Sequence, residues 1–129
     1  MLIKRADDVE PQMMTMPGAA GVCMRLMIGR QDGAPNFSMR MFEVNPGGHT
    51  PLHQHNYEHE VLVIEGSGQV VSGIGGSTIR PVQAGHVVFV PANEMHQFRN
   101  TGAAPFKFMC LVPATFDCGN GACQPTPGS

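Results

Sequence analysis

Three histidines, His53, His55 and His59, fall within seven residues, and a fourth, His96, stands further along the chain. Neutral imidazole is the commonest side-chain ligand of a divalent metal ion. Residues two apart on an extended strand share a face, so His53 and His55 can reach one ion together, and His59 has the same parity. A chain of 129 residues with six histidines can also scatter them over its surface, and a lone His-x-His is weak support for a metal site. Here the spacing is framed on both sides, as Gly47-x5-His53-x-His55-x3-His59-x6-Gly66 and then Gly85-x5-Pro91-x-Asn93-x2-His96-x3-Asn100. Several independent spacings agree, which favours one metal centre over chance. His49 and His86 fit neither frame and read as turn or surface residues.

Those ligands must be positioned by short strands. Strand-like runs cover residues 21–28, 37–44, 59–64, 69–74, 77–81, 86–90, 96–100 and 106–112. Between them lie turn signals of known chemistry: Asp32-Gly33, Asn45-Pro46-Gly47-Gly48, Gly75-Gly76 and Asn100-Thr101-Gly102. No helical period is sustained for three turns anywhere. The Met-rich stretch 13–27 is the one ambiguous part, and Pro17, Gly18 and Gly21 argue against a helix through it. Regularly spaced short strands with such turns predict an all-β sandwich or barrel.

The size is that of one domain with a single core. We expect residues 1–20 to form an arm or edge strand, the barrel to run to residue 113, and 114–129, with its Pro125-Thr126-Pro127-Gly128 ending, to be an extended or poorly ordered tail. A net charge of −2 from 8 basic and 10 acidic residues, with no basic block, offers no footprint for nucleic acid or an anionic membrane. No apolar stretch has the length of a signal peptide or a membrane span, which predicts a cytoplasmic protein. Cys23, Cys110, Cys118 and Cys123 sit at no zinc-finger spacing and are expected as thiols in a reducing compartment, although Cys118 and Cys123 could pair under oxidation.

The two histidine blocks resemble the paired motifs of the cupin superfamily, G-x5-H-x-H-x3,4-E-x6-G and G-x5-P-x-G-x2-H-x3-N, over residues 47–100. That resemblance implies a single double-stranded β-helix, or jelly-roll, barrel. Two positions depart from the pattern. Asn93 replaces a glycine, tolerable because asparagine also visits left-handed turns. The usual glutamate position is His59, with Glu60 beside it. The four-residue spacing also permits Glu60 as ligand, while the count to Gly66 and strand parity favour His59. Through segments 53–60, 91–100 and 108–113 the chain is similar to small single-domain cupins with four-histidine sites. This implies manganese or iron, a homodimer, and an activity like that of dioxygenases cleaving carbon-carbon double bonds. Donor type alone also admits zinc, nickel, copper and cobalt.

Parity predicts the pocket wall. Phe98 follows His96 by two, and if Lys107 faces water then Phe106, Phe108, Cys110 and Val112 face inward. One face of 37–44 carries Ser38, Arg40, Phe42 and Val44 and the other Phe37, Met39, Met41 and Glu43. Periodicity does not choose between them, whereas the family likeness turns Arg40 inward, where it would clamp a carboxylate or enolate. Otherwise Arg40 is a surface or ion-paired residue. Cys110 is either packing or a redox-sensitive neighbour of the metal, Tyr57 reads as a rim or packing residue, and Glu58 and Glu60 are candidates to orient ligand imidazoles. The expected function is that of an oxygen-dependent metalloenzyme acting on a small enolate, phenolic or alkene substrate, with Arg40, Phe98, Phe108 and Cys110 shaping the site. The alternative is a non-catalytic module that binds or senses a metal or small ligand. Apolar edge surface at Met13, Met14 and Met16 is the residue-level reason to expect a dimer.

Overall fold

The computed structural model describes residues 1–116. Nine strands carry the fold: β1 Gln12–Met13, β2 Ala20–Ile28, β3 Phe37–His49, β4 His59–Glu65, β5 Ser67–Ser72, β6 Thr78–Gln83, β7 Val87–Val90, β8 His96–Arg99 and β9 Phe106–Pro113. Among the described residues the remaining regular elements are four short 3-10 turns, and no helix is long and apolar enough to cross a membrane. The strand order is β6-β5-β8-β3-β9-β4-β7, with β2 on β3 and β1 on β2, and all pairings are antiparallel. The expected jelly-roll barrel is the observed one.

Alternation builds its core. Along β9, Phe106, Phe108, Cys110 and Val112 are buried while Lys107, Met109, Leu111 and Pro113 are half-buried on the other side. Along β3, Ser38, Arg40, Phe42 and Val44 face the core. Each pair in register, Arg40 with Cys110, Phe42 with Phe108 and Val44 with Phe106, puts two inward side chains next to each other. Phe42, Phe98 and Phe108 stack, with ring centroids 5.2 Å apart for Phe42–Phe108 and 4.5 Å for Phe98–Phe108. Lys107 is held on the outside by Glu43, at 3.3 Å.

β3 runs further than its apolar alternation, through Asn45-Pro-Gly-Gly to His49, because its end changes partner. His49 lies opposite Ala20 of β2 and Arg99 of β8. Gly48 is fitted to that crossing, since a Cβ there would lie 2.6 Å from the Ala20 carbonyl. Asn100 closes the same corner, its side-chain amide donating to the carbonyls of Val44 and Ala104, each at 2.8 Å.

The arm contains edge strand β1, and the methionines near it divide. Met13 is 56% exposed, but Met16 is 6% exposed and Met14 packs against the core. The apolar edge expected from all three is therefore reduced to Met13, because β1 pairs with β2 and the chain after it turns inward. At the other end, Ala114–Phe116 is not extended but a 3-10 turn, with Ala114 buried and its N–H donating to the Asn36 carbonyl at 3.1 Å. The rest of the expected tail, and with it Cys118 and Cys123, lies outside the described residues.

Candidate metal centre

His53, His55 and His96 converge at one end of the barrel, each offering a ring nitrogen within 4.8 Å of the others. The route to this cluster differs from the single extended strand inferred from parity. Residues 54–58 form a loop, and His53 instead makes an isolated bridge with His96. The His53 N–H donates to the His96 carbonyl at 3.1 Å and the His96 N–H donates to the His53 carbonyl at 2.8 Å. That reciprocal pair ties the two histidine blocks together through the backbone. The His55 carbonyl accepts the N–H of Asn93, whose φ of +67° is the left-handed conformation asparagine tolerates at the motif's glycine position.

His59 opens β4 with its ring on the same pocket, at centroid distances of 5.0 Å from His55 and 5.1 Å from His96. Glu60, next to it, is exposed and borders an outer groove with Phe37 and Leu111. Glu58 is exposed on that same groove, so neither glutamate orients a ligand imidazole. That work falls to other atoms. His96 Nδ1 lies 2.9 Å from the Glu94 carbonyl, which fixes the proton on Nδ1 and leaves Nε2 for a metal. His59 Nδ1 lies 3.2 Å from Cys110 Sγ. Tyr57 stacks on His55 at 4.7 Å and on His59 at 5.2 Å, walling the rings from the rim.

The residues fit a divalent cation on two observations. His53 Nε2 and His55 Nε2 face each other at 3.1 Å, a separation met either by an N–H···N hydrogen bond in one tautomer or by a cation bound to both nitrogens. His59 Nε2 is buried without a hydrogen-bond partner, and such an orphaned atom is costly unless something else satisfies it. His49 and His86 stay outside, His49 Nδ1 against the Thr50 carbonyl and His86 Nδ1 accepting the Gln83 N–H.

The pocket beneath the histidines is apolar. Phe42, Phe98 and Phe108 line it together with Arg40 and Cys110. Met14, Met16, Thr50 and Pro51 complete the lining. These four were not foreseen, since the methionines arrive through the β1–β2 pairing, which no local pattern announces. Arg40 is 4% exposed, with Nη2 3.6 Å from Cys110 Sγ and its guanidinium 5.0 Å from the Phe42 ring centroid. Among the described residues the lining carries one permanent cation and no carboxylate.

Residues 40–112 match the family model described as the cupin domain. The chain belongs to the cupin family. Among solved structures, this cupin is similar to the polyketide cyclase RemF from Streptomyces resistomycificus, with 33% identity and a TM-score of 0.83 over 88% of this chain and 80% of that one. It is also similar to a cupin 2 conserved barrel domain protein from Rhodopseudomonas palustris, with 32% identity and a TM-score of 0.70 over 82% and 70% of the two chains. A curated relative is 1-methylthio-D-xylulose 5-phosphate methylsulfurylase of Rhodospirillum rubrum, 35% identical over 79 residues, 61% of this chain and 49% of the relative. Another is auxin-binding protein 1 of Arabidopsis thaliana, 30% identical over 73 residues, 52% of this chain and 37% of the relative. The matches thus span about half or less of the curated relatives' lengths.

Burial disfavours the charged form of this cupin's His53, His55, His59 and His96. Desolvation, reinforced by the neighbouring imidazoles and Arg40, lowers His53 from 6.5 to about 4 and His55 to about 3. Desolvation followed by Arg40 lowers His59 to about 2, and desolvation also lowers His96 against the raising influence of the Glu94 carbonyl. The unfolded chain takes up protons near pH 6.5 that the folded chain refuses. The associated stability is therefore fully present above pH 6.5 and is lost as pH falls toward 4, by up to about 1.4 kcal/mol per histidine per pH unit. Metal-free protein should show a denaturation midpoint that drops steadily from pH 7 to pH 4.5. A midpoint flat over that interval would contradict the burial of these rings.

Proposed function

We propose that this cupin is a metal-dependent enzyme in which His53, His55, His59 and His96 hold one divalent ion, manganese or iron first. We propose further that it oxidises a small, partly apolar enolate or phenolate with dioxygen. When bound, the ion supplies a Lewis acid whose double positive charge no carboxylate ligand offsets. The observation that carries this reading is the convergence of imidazoles over an apolar pocket whose one permanent charge is the buried Arg40. Arg40 holds the anionic group of the substrate by charge-assisted hydrogen bonds. Phe98 and Phe108 take the apolar part and exclude water, which strengthens that electrostatic hold. Cys110 lies beside both Arg40 and His59. Among the described residues, no lysine, glutamate or aspartate lines the pocket to act as a base for sugar isomerisation.

Dioxygenase chemistry here means cleavage of a carbon-carbon double bond into two carbonyl groups, which consumes both atoms of one dioxygen. The likeness to a polyketide cyclase favours a second reading, ring closure of an enolate without an oxidant. Oxygen uptake and product analysis on enolates and alkenyl phenols separate the two, using protein that has kept its own metal. Uptake matching product supports the oxygenase, and product without uptake supports the cyclase. Tight ligand binding without turnover would replace both with a non-catalytic binding or sensing module. In either enzyme Arg40→Met should raise KM by about 10- to 100-fold, the worth of one charge-assisted hydrogen bond, at unchanged metal content. An unchanged KM would remove Arg40 from substrate binding.

The same reading carries a cytoplasmic homodimer. With Met14 and Met16 turned inward, the exposed apolar residues that suit a self-contact are Val87 and Phe89 on β7 and Ile64 on β4. Light scattering at micromolar concentration should give about twice the chain mass, and a monomer there would refute the dimer.

A further inference from the structure

His59 stands apart from the other three histidines in how its ring is held. His96 is oriented by a backbone carbonyl, at 2.9 Å, whereas the partner of His59 Nδ1 is a sulfur, Cys110 Sγ at 3.2 Å. Cys110 is 2% exposed on β9, the strand between β3 and β4, where it faces Arg40 on one side and Val61 on the other. Its sulfur accepts from Arg40 Nη2 at 3.6 Å, and its thiol hydrogen has an acceptor of its own, the Leu111 carbonyl at 3.9 Å.

From these contacts we infer that Cys110 is the positioning residue of His59, accepting its Nδ1–H and thereby turning a bare Nε2 lone pair toward the ion bound by His53, His55 and His96. The opposite arrangement, with the thiol donating to Nδ1, would put the imidazole hydrogen on Nε2. That nitrogen is buried and has no hydrogen-bond partner, so a hydrogen placed there would be a buried donor with no acceptor, whereas a bare lone pair there is satisfied by the ion. With the hydrogen on Nδ1, the Arg40, His59 and Leu111 contacts use the sulfur's accepting and donating capacity together. A neutral sulfur also fixes the tautomer without adding negative charge beside the ion, which a carboxylate in that place would do.

This inference rests on His59 being a ligand, and the experiment separates the two. Zinc serves as a diamagnetic probe in the full chain, with affinity measured by chelator competition and the histidine tautomers read by nitrogen-15 NMR, for wild type, His59→Ala, Cys110→Ala and Cys110→Ser. We expect His59 to hold its proton on Nδ1 in the wild type. Cys110→Ala should mix the tautomers and weaken zinc binding by about 10- to 100-fold, as loss of an outer partner does, with serine restoring much of both. If His59→Ala binds zinc as the wild type does, the four-histidine set is wrong. If His59→Ala weakens binding while Cys110→Ala changes neither tautomer nor affinity, His59 is a ligand and the positioning role of Cys110 is overturned. Unchanged His53 and His96 resonances in Cys110→Ala show that the barrel is intact.

Discussion

Replacing His96 with alanine is expected to empty the proposed metal centre. His96 is 3% exposed, touches the other three imidazoles at ring distances of 4.9 to 5.3 Å, and already has its Nδ1 committed to the Glu94 carbonyl. Its Nε2 therefore has no competing use. Loss of a direct ligand exceeds the loss of an outer partner, so we expect affinity for manganese or zinc to fall by more than about 100-fold. The bridge to His53 is made by backbone atoms, so the variant should keep the barrel. His49→Ala is the matched control, a nearby histidine whose ring nitrogen faces the Thr50 carbonyl instead of the cluster. Metal content after dialysis, measured by elemental analysis, gives the result directly. If His96→Ala retains stoichiometric metal, the ion sits elsewhere and the site has been misassigned. If His49→Ala loses metal as readily, the effect is not specific to the cluster.

Phe106→Ala should bring the barrel close to unfolding. Phe106 is fully buried, packs at a tilt against Phe108 with ring centroids 5.3 Å apart, and lies so close to Gly68 that a Cβ on that glycine would sit 2.5 Å from its ring. Gly66 is fitted to the same corner, where a Cβ would meet the Pro105 carbonyl. With β5 and β9 both pinned there by backbone hydrogen bonds, the walls cannot close on the space left behind. Truncation of such a phenylalanine costs about 3–5 kcal/mol, against a total stability of about 5–15 kcal/mol for a domain. A fall in Tm on the order of 10–20 °C is expected. A loss of less than about 1 kcal/mol in chemical denaturation would mean that the corner relaxes and that the glycines there are not fitted to the ring.

The β9 alternation was legible because burial on one face of a strand imposes period two, and Lys107 marks the outward parity at once. Turn residues placed most strand ends within a residue or two, and Asn93 announced its left-handed corner. Of the four histidines singled out by spacing, His53, His55 and His96 bring ring nitrogens together, while His59 contributes its ring to the same pocket from the start of β4. They meet through two blocks joined by the His53–His96 bridge, with a loop between His53 and His59, and not along one extended strand. The periodicity of β3 left the side of Arg40 open, and pairing with β9 settles it.

What the sequence determined by itself is local: strand parity, turn chemistry, and a histidine spacing from which His53, His55 and His96 come together. Tertiary structure alone decided what each imidazole leans on. It set Cys110 against His59 across 51 positions, brought Met14 and Met16 into the pocket through strand pairing, and turned Glu58 and Glu60 to the outside. Such contacts follow from which strands become neighbours when the sheet curls, a choice made by the burial of the whole apolar surface that no short segment encodes.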